Sequence, residues 1–334
     1  MKMKVAYVLS GTALAGGSKV VFEHVRLLNR TGFFDACVVS PEPYPKWIHF
    51  KVPFIMTDLK KLNLNLFDLV VTTFYDQGFL YRNSHVCFLH FCQGYEGDYT
   101  ADLGLSHLDE EIERFYSFSC PKMVVSRFLM EKLRLLTDAP ILFVGQILDR
   151  EIFKPVVSNC RKYILVVGQS EYPFKGVKRS LSVAMRLKEI FPDLKVMRVS
   201  PTDTRKDEAM KFFIDEFWIR VPPVFMSKIY SKAILSIYMP YKDGFGLPVL
   251  ESIASGVPVI ASDIPPFREI CGSDYPLCRT VDDAVDLGVK MLTNTDFYRT
   301  LSTKGVQRSY RFNTSGLLLR LIRAFLVGIM WGKL

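Results

Sequence analysis

Short apolar runs that each lead through a glycine-bearing turn into a helix-period segment recur along this chain, and they do so in two series. That alternation limits the fold more than any single motif. The first series opens with Val5 to Leu9, a loop reaching Gly17, and a helix whose apolar stripe is Val21, Val25 and Leu28; Gly32 follows, and Ala36 to Val39 resumes as a strand. Leu69 to Thr72, Val86 to Phe91, Met123 to Val125 and Ile141 to Val144 continue it. After FKPVVSN at 153–159 the pattern restarts: Tyr163 to Val167 as strand, Val177 to Ile190 as helix, then Leu194 to Val199, Ile234 to Met239 and Pro258 to Ala261 as strands. Strands separated by helices predict mostly parallel sheets, so the expected fold is α/β with two Rossmann-like domains, 1–153 and 154–310, followed by a tail at 311–334. A chain of 334 residues is long enough for two such cores. Ligand is expected in the cleft faced by the carboxyl ends of both sheets.

Several other classes are set aside by simple checks. The N-terminal MKMKVAYVLSGTALAGG has the lysines and the A-x-A triplet of a secretory leader, but its apolar core ends at Leu9, short of the roughly 7–15 residues such a core needs. A first strand is expected there instead. No uncharged apolar run reaches the roughly 18–20 residues of a membrane-spanning helix. The 7 cysteines are scattered and never form C-x-x-C, which reads as buried thiols in a reducing compartment without disulfides or structural zinc. His85 and His90, five apart in an apparent strand, would point to opposite faces, so no metal site is expected. The net charge of +9 is concentrated after Phe297, where Arg299, Lys304, Arg308, Arg311, Arg320, Arg323 and Lys333 meet no acidic residue. Without any nucleic-acid motif, that balance fits an anionic membrane surface or a phosphorylated substrate, and nucleic acid is not expected as a partner.

The stretch DGFGLPVLESIASGVPVIASD, 243–263, follows a strand and opens a helix at Leu247, with Pro248 early and Gly256 as its stop. Gly244 and Gly246 let the backbone approach a ligand, and the exposed amides and dipole of the helix start favour phosphate. Asp243 and Glu251 cannot be phosphate ligands; they are suited to accept hydrogen bonds from sugar or ribose hydroxyls. Spacing alone serves equally well a tightly packed loop whose early Glu complements the helix dipole.

The residues Asp243-Gly244-Phe245-Gly246-Leu247 through Glu251 and on to Ser262 resemble the signature of family-4 retaining glycosyltransferases of the GT-B fold, which read E-G-F-G-L-P-x-L-E, with Asp243 at the first carboxylate. The resemblance implies that Asp243 contacts the transferred sugar and Glu251 the ribose of a nucleotide-diphosphate sugar. Gly16-Gly17 resembles the family's N-terminal glycine pair near the donor phosphates. Ser126 to Leu129 resembles a recurrent S-x-F-L, and Asp149 to Pro155 resembles the segment that precedes the second domain. Gly168, Lys175 and Gly176 resemble the G-R-x(n)-K-G element that neutralises the diphosphate, with Gln169 at the arginine position, so that charge rests on Lys175, helped by Lys242.

The family often carries a histidine near the anomeric centre at the end of an N-terminal strand. Here Gln93 takes that place, followed by Tyr95 and Glu96, while His90 lies three residues back and reads either as a core histidine or as the site residue. Phe74, Tyr75, Phe79 and Tyr81 serve as an acceptor platform or as packing. In the tail, an apolar arc of Leu318, Ile322, Phe325 and Ile329 faces away from Arg320 and Arg323; by resemblance it crosses back onto the first domain, and by composition it suits a membrane surface.

The resemblance thus implies a cytoplasmic retaining glycosyltransferase that moves a hexose or deoxyhexose, with a tail suited either to the first domain or to the inner face of the membrane, and with Asp243, Lys175 and Gln93 in the catalytic centre. Gly16, Gly17, Gly168, Gln169, Lys175, Gly176, Gly244, Phe245, Gly246, Leu247 and Glu251 are expected to hold the donor. The reaction is expected to need no cofactor or metal, and the acceptor is a glycan or a lipid-linked glycan. The departures at Asp243, Gln169 and Gln93 keep two alternatives in view: a nucleotide-sugar 2-epimerase and a non-catalytic sugar-nucleotide-binding relative.

Overall fold

The computed structural model describes residues 2–81, 84–156 and 161–332; residues 157–160 of the expected linker and Lys333 of the tail lie outside them. The chain forms two compact units, Met1–Ile147 with Phe312–Leu334, and Leu148–Arg311. The segment Asp149 to Pro155 therefore belongs to the second unit.

Among the described residues, the first unit carries seven strands: β1 (Met3–Val8), β2 (Phe34–Ser40), β3 (Phe54–Met56), β4 (Leu69–Thr72), β5 (Cys87–Cys92), β6 (Lys122–Val124) and β7 (Ile141–Phe143). Their order is β3-β2-β1-β4-β5-β6-β7, parallel throughout. The second unit carries β8 (Tyr163–Val167), β9 (Lys195–Ser200), β10 (Glu216–Ile219), β11 (Ala233–Tyr238) and β12 (Val259–Ala261), in the parallel order β10-β9-β8-β11-β12. Helices cover both sheets, so central strands are apolar on both faces; Val5 to Val8, Leu69 to Val71 and Ile164 to Val166 are fully buried. In each sheet the order reverses beside its first strand, between β1 and β4 and between β8 and β11. Strand ends at such a reversal leave a crevice for ligand.

The tail helix Thr314–Trp331 packs on the first unit, but in a register different from the expected one. Leu317, Leu321, Ala324, Phe325 and Gly328 face the sheet, whereas Leu318, Ile322 and Ile329 are only partly covered. Arg320 is not on the solvent side: its Nε donates to the Val144 carbonyl at 2.7 Å and its guanidinium lies over the Phe143 ring. The reason is local, because Gly328 lets the helix approach so closely that a Cβ there would sit 2.7 Å from Leu89 Cγ. By length and composition the helical segment Thr295–Trp331 contains an 18-residue window of mean hydropathy 1.5 that could cross a membrane, and 28% of that window is buried in the structure. The expected cationic tail is also partly consumed: Lys304 pairs with Asp274 at 2.9 Å.

Candidate active site

In the second unit, two loops meet at the reversal of the sheet. The chain leaves β8 at Gly168 and Gln169, turns through Pro173–Lys175 and starts the helix Val177–Ile190 after Gly176. It leaves β11 through Met239 and reaches the helix Leu247–Ala254 after Gly246. Hydrogen bonds tie the two connections together: Tyr241 N–H donates to the Phe174 carbonyl at 2.8 Å, and Met239 N–H donates to the Ser180 side-chain hydroxyl, in the helix Val177–Ile190, at 3.0 Å. Gly176 sits at φ +60 with the Met239 carbonyl oxygen where a Cβ would be, and Gly246 sits at φ +102 with the Phe267 ring in that place. Only glycine has the backbone freedom and the missing side chain that both positions require.

Lys175 and Asp243 face each other across this junction. Lys175 Nζ donates to Asp243 Oδ2 at 3.1 Å, Tyr238 hydroxyl donates to the same oxygen at 2.6 Å, and the Phe245 amide donates to Oδ1 at 3.2 Å. Burial raises the Asp243 carboxyl pKa, but the Lys175 charge, the Tyr238 hydroxyl and the amide outweigh it and hold it below the ordinary carboxylate value. The helix that begins at Leu247 has no side-chain cap and no acid in its first turn; Pro248 carries no N–H and the Val249 amide donates to Gly246 O at 3.0 Å, so the Leu247 amide and the helix dipole are what this end offers an anion. A cation and an open helix start at a strand reversal can bind a diphosphate and stabilise its departure.

Glu251 is buried one turn into the same helix, with the Tyr230 hydroxyl 3.5 Å from its Oε2. Tyr230 is itself fully buried, and burial foremost, with the neighbouring Glu251 charge, holds its hydroxyl protonated well above the usual tyrosine range. Gln169 is partly exposed beside Gly168.

In the first unit, Gly16 and Gly17 open the helix Gly16–Arg30, and Gln93 follows the end of β5. They touch: Gln93 Nε2 donates to the Gly17 carbonyl at 3.2 Å. His90 is a core histidine, with no exposed surface, Thr72 Oγ1 3.1 Å from its Nδ1 and the Tyr116 hydroxyl 3.2 Å from its Nε2. Burial, then the Lys122 charge, keep it neutral. Tyr116 hydroxyl also donates to Glu96, whose carboxyl burial pushes up to about 7 against the pull of that bond and of backbone amides, with Asp76 adding to the rise. The folded state therefore binds a proton that the unfolded chain releases near 4.5, and its stability falls as pH rises between those values. Glu96→Gln keeps an acceptor for Tyr116 without the titration. Relative to it, the wild type should lose about 2 kcal/mol between pH 5 and pH 8, read from paired denaturation curves; parallel curves would refute the buried titration.

Of the four aromatics, only Phe74 presents an exposed ring; Phe79 packs against Phe115 and Phe118, and Tyr75 and Tyr81 are buried. Ser126 caps the helix Arg127–Leu133 by accepting from the Leu129 amide. Sequence reasoning missed Tyr238, Tyr230 and Phe267. Each ends or sits within an apolar element, where an aromatic reads as ordinary core; the one available signal was a tyrosine, with its hydroxyl to satisfy, at the very end of β11.

Residues 149–284 match the family model described as glycosyl transferases group 1. The chain is 28% identical over 116 residues to O-antigen chain mannosyltransferase B of Escherichia coli, covering 33% of this chain and 30% of that protein. It is 32% identical over 117 residues to O-antigen chain mannosyltransferase RfbU of Salmonella typhimurium, covering 35% and 26%. The matched region thus spans under a third of either relative's length. Among solved structures, the fold superposes on sucrose-phosphate synthase from Thermosynechococcus elongatus with a TM-score of 0.80 at 15% identity, over 97% of this chain and 98% of that one. Anabaena Alr3699/HepE in complex with UDP-glucose superposes with a TM-score of 0.73 at 12% identity, over 97% and 99%. The two-sheet architecture is that of the GT-B fold, and residues 149–284 carry the match to glycosyl transferases group 1.

Proposed function

We propose that the protein is a retaining glycosyltransferase that moves a hexose or deoxyhexose from a nucleotide-diphosphate sugar to a hydroxyl of a glycan or lipid-linked glycan. The observation that carries this reading is the Lys175–Asp243 pair beside the open start of the helix Leu247–Ala254, inside the matched domain. In this mechanism the bond from the sugar's anomeric carbon to the diphosphate breaks, the acceptor oxygen bonds that carbon on the same face, and the acceptor proton passes to the departing diphosphate. Lys175 and the positive end of the helix dipole, with the Leu247 amide, stabilise the charge that develops there, so no metal ion is needed. In this reading Asp243 retains room on Oδ1 for a sugar hydroxyl and Glu251 takes the ribose, while Gln93 and Gly17, which touch within the first unit, are its candidate residues.

The names of the two relatives make a mannosyl donor the first to test, and the HepE complex makes UDP-glucose the second. Incubation of each with water and with a panel of glycan acceptors, with EDTA present, should give a transferred sugar of unchanged anomeric configuration. A changed sugar without acceptor would identify an epimerase, and neither product with any donor would identify a binding protein.

We also propose that the enzyme works in the cytoplasm against the inner face of the membrane. Leu319, Leu326 and Met330 form an exposed apolar line on the tail helix with Arg323 among them, which suits shallow insertion among anionic headgroups. Vesicles containing phosphatidylglycerol should co-sediment the wild type and release Leu326→Glu/Met330→Glu, with binding reduced about tenfold; equal sedimentation of the two would end the membrane reading.

A further inference from the structure

One carboxylate oxygen in the donor unit serves two donors at once. Asp243 Oδ2 takes the Lys175 ammonium at 3.1 Å and the Tyr238 hydroxyl at 2.6 Å. Tyr238 is the last residue of β11 and is only 5% exposed; its ring lies against Phe267, centroids 5.6 Å apart, and Phe267 in turn fills the space beneath Gly246. The hydroxyl is thus fixed by a strand on one side and by an aromatic floor on the other. An aspartate at 243 is one methylene shorter than a glutamate, so its carboxylate has little freedom of its own to reach a lysine on another loop.

We propose that Tyr238 is a positioning residue, which anchors Asp243 where it grips the Lys175 ammonium and leaves that carboxylate a single lone pair for substrate. The inference builds on the donor-site reading above. A carboxylate offers about four lone-pair positions; Lys175, Tyr238 and the Phe245 amide use three, and the fourth lies on Oδ1. Asp243 can therefore read one sugar hydroxyl and no more. Lys175, tethered by one of its three protons, keeps two for diphosphate oxygens and meets the donor already in place, without the rotamer freedom that a loose lysine loses on binding.

The test needs no glycosyl transfer. The intact protein without ligand is treated with an acetylating succinimidyl ester, and the rate of Lys175 modification is read by peptide mass spectrometry against exposed Lys178. Tyr238→Phe, which keeps the ring on Phe267, should raise that rate about fivefold, with the rate at Lys178 unchanged. Asp243→Asn should raise it at least as much. Adding Tyr238→Phe to Asp243→Asn should change nothing further, because Tyr238 acts through the carboxylate. A Lys175 rate unaltered by Tyr238→Phe, or the same acceleration in both backgrounds, would overturn the proposal; the second result would mean a general loosening of the loop. The donor reading is checked separately in the same assay by adding UDP, GDP and their sugars to the wild type. If none slows Lys175 modification while the three variants behave as expected, the donor reading fails and the positioning role stands.

Discussion

Lys175→Met is expected to lower sugar transfer by about 10²- to 10³-fold in kcat/KM, which is the cost of removing one preorganised charge from a departing anion. Methionine keeps most of the stem's volume against Phe174, over whose ring the ammonium lies at 5.6 Å, so packing is preserved while the charge is lost. The pH profile should change as well. Lys175 is the strongest of the groups that hold the Asp243 carboxyl below its ordinary value, and without it burial pushes that carboxyl up. The acid limb of the variant should accordingly lie at higher pH than in the wild type, because Asp243 takes up its proton earlier as pH falls. A variant within threefold of wild-type kcat/KM, or one with an unmoved acid limb, would remove Lys175 from the catalytic centre.

Gly176→Ala should be the most damaging single methyl in the second unit. At φ +60 any side chain strains the backbone, and this one would overlap the Met239 carbonyl, a main-chain atom that cannot rotate away. Left-handed strain of about 1–2 kcal/mol adds to the displacement of the β11 exit loop. A loss of about 3 kcal/mol or more in unfolding free energy is expected from chemical denaturation, together with loss of donor binding, because Asp243 and Gly246 ride on the displaced loop. Gly32→Ala makes the comparison: it too lies at positive φ, +76, but nothing stands within 4 Å of its Cβ position. It should cost only the backbone strain. Equal losses at the two glycines would show that the Met239 contact carries no weight.

How far this fold could be read from the amino acids depended on where each strand lies in its sheet. Strands buried on both faces, such as β1, β4 and β8, appear as uninterrupted apolar runs and were legible within two residues. Edge position alone did not decide the rest: β7 and β12 also lie at sheet edges and were read, whereas β3, only three residues long, and β10, whose EFWI opens on a charge, were not. The tail helix was legible as an element but not in its register, since the sequence shows leucines all round and only the close approach at Gly328 decides which of them face Leu89. Candidate residues behaved likewise. Lys175, Asp243 and the two helix-start glycines stood out because their spacing is local. The hydroxyl of Tyr238 and the ring of Phe267 act across elements, and nothing adjacent in the chain announces them. His90 illustrates the converse: a histidine inside an apolar strand suggests chemistry, yet Thr72 and Tyr116, far away in sequence, satisfy both of its nitrogens.

The return of the tail to the first unit reverses the order in which the molecule can be finished during synthesis. Domains ordinarily fold from the N-terminus as they emerge. Here Leu148–Arg311 is a unit placed inside another, and the helix Thr314–Trp331, which lies on β4 and β5, is made after all of it. When the ribosome reaches Thr314, the strands β8 to β12 of the second sheet are already made. The first sheet, begun some three hundred residues earlier, waits with Leu89 and its neighbours uncovered until Phe325 and Gly328 arrive. A chain that stops short of Thr314 therefore leaves the unit synthesised second intact and the unit synthesised first incomplete.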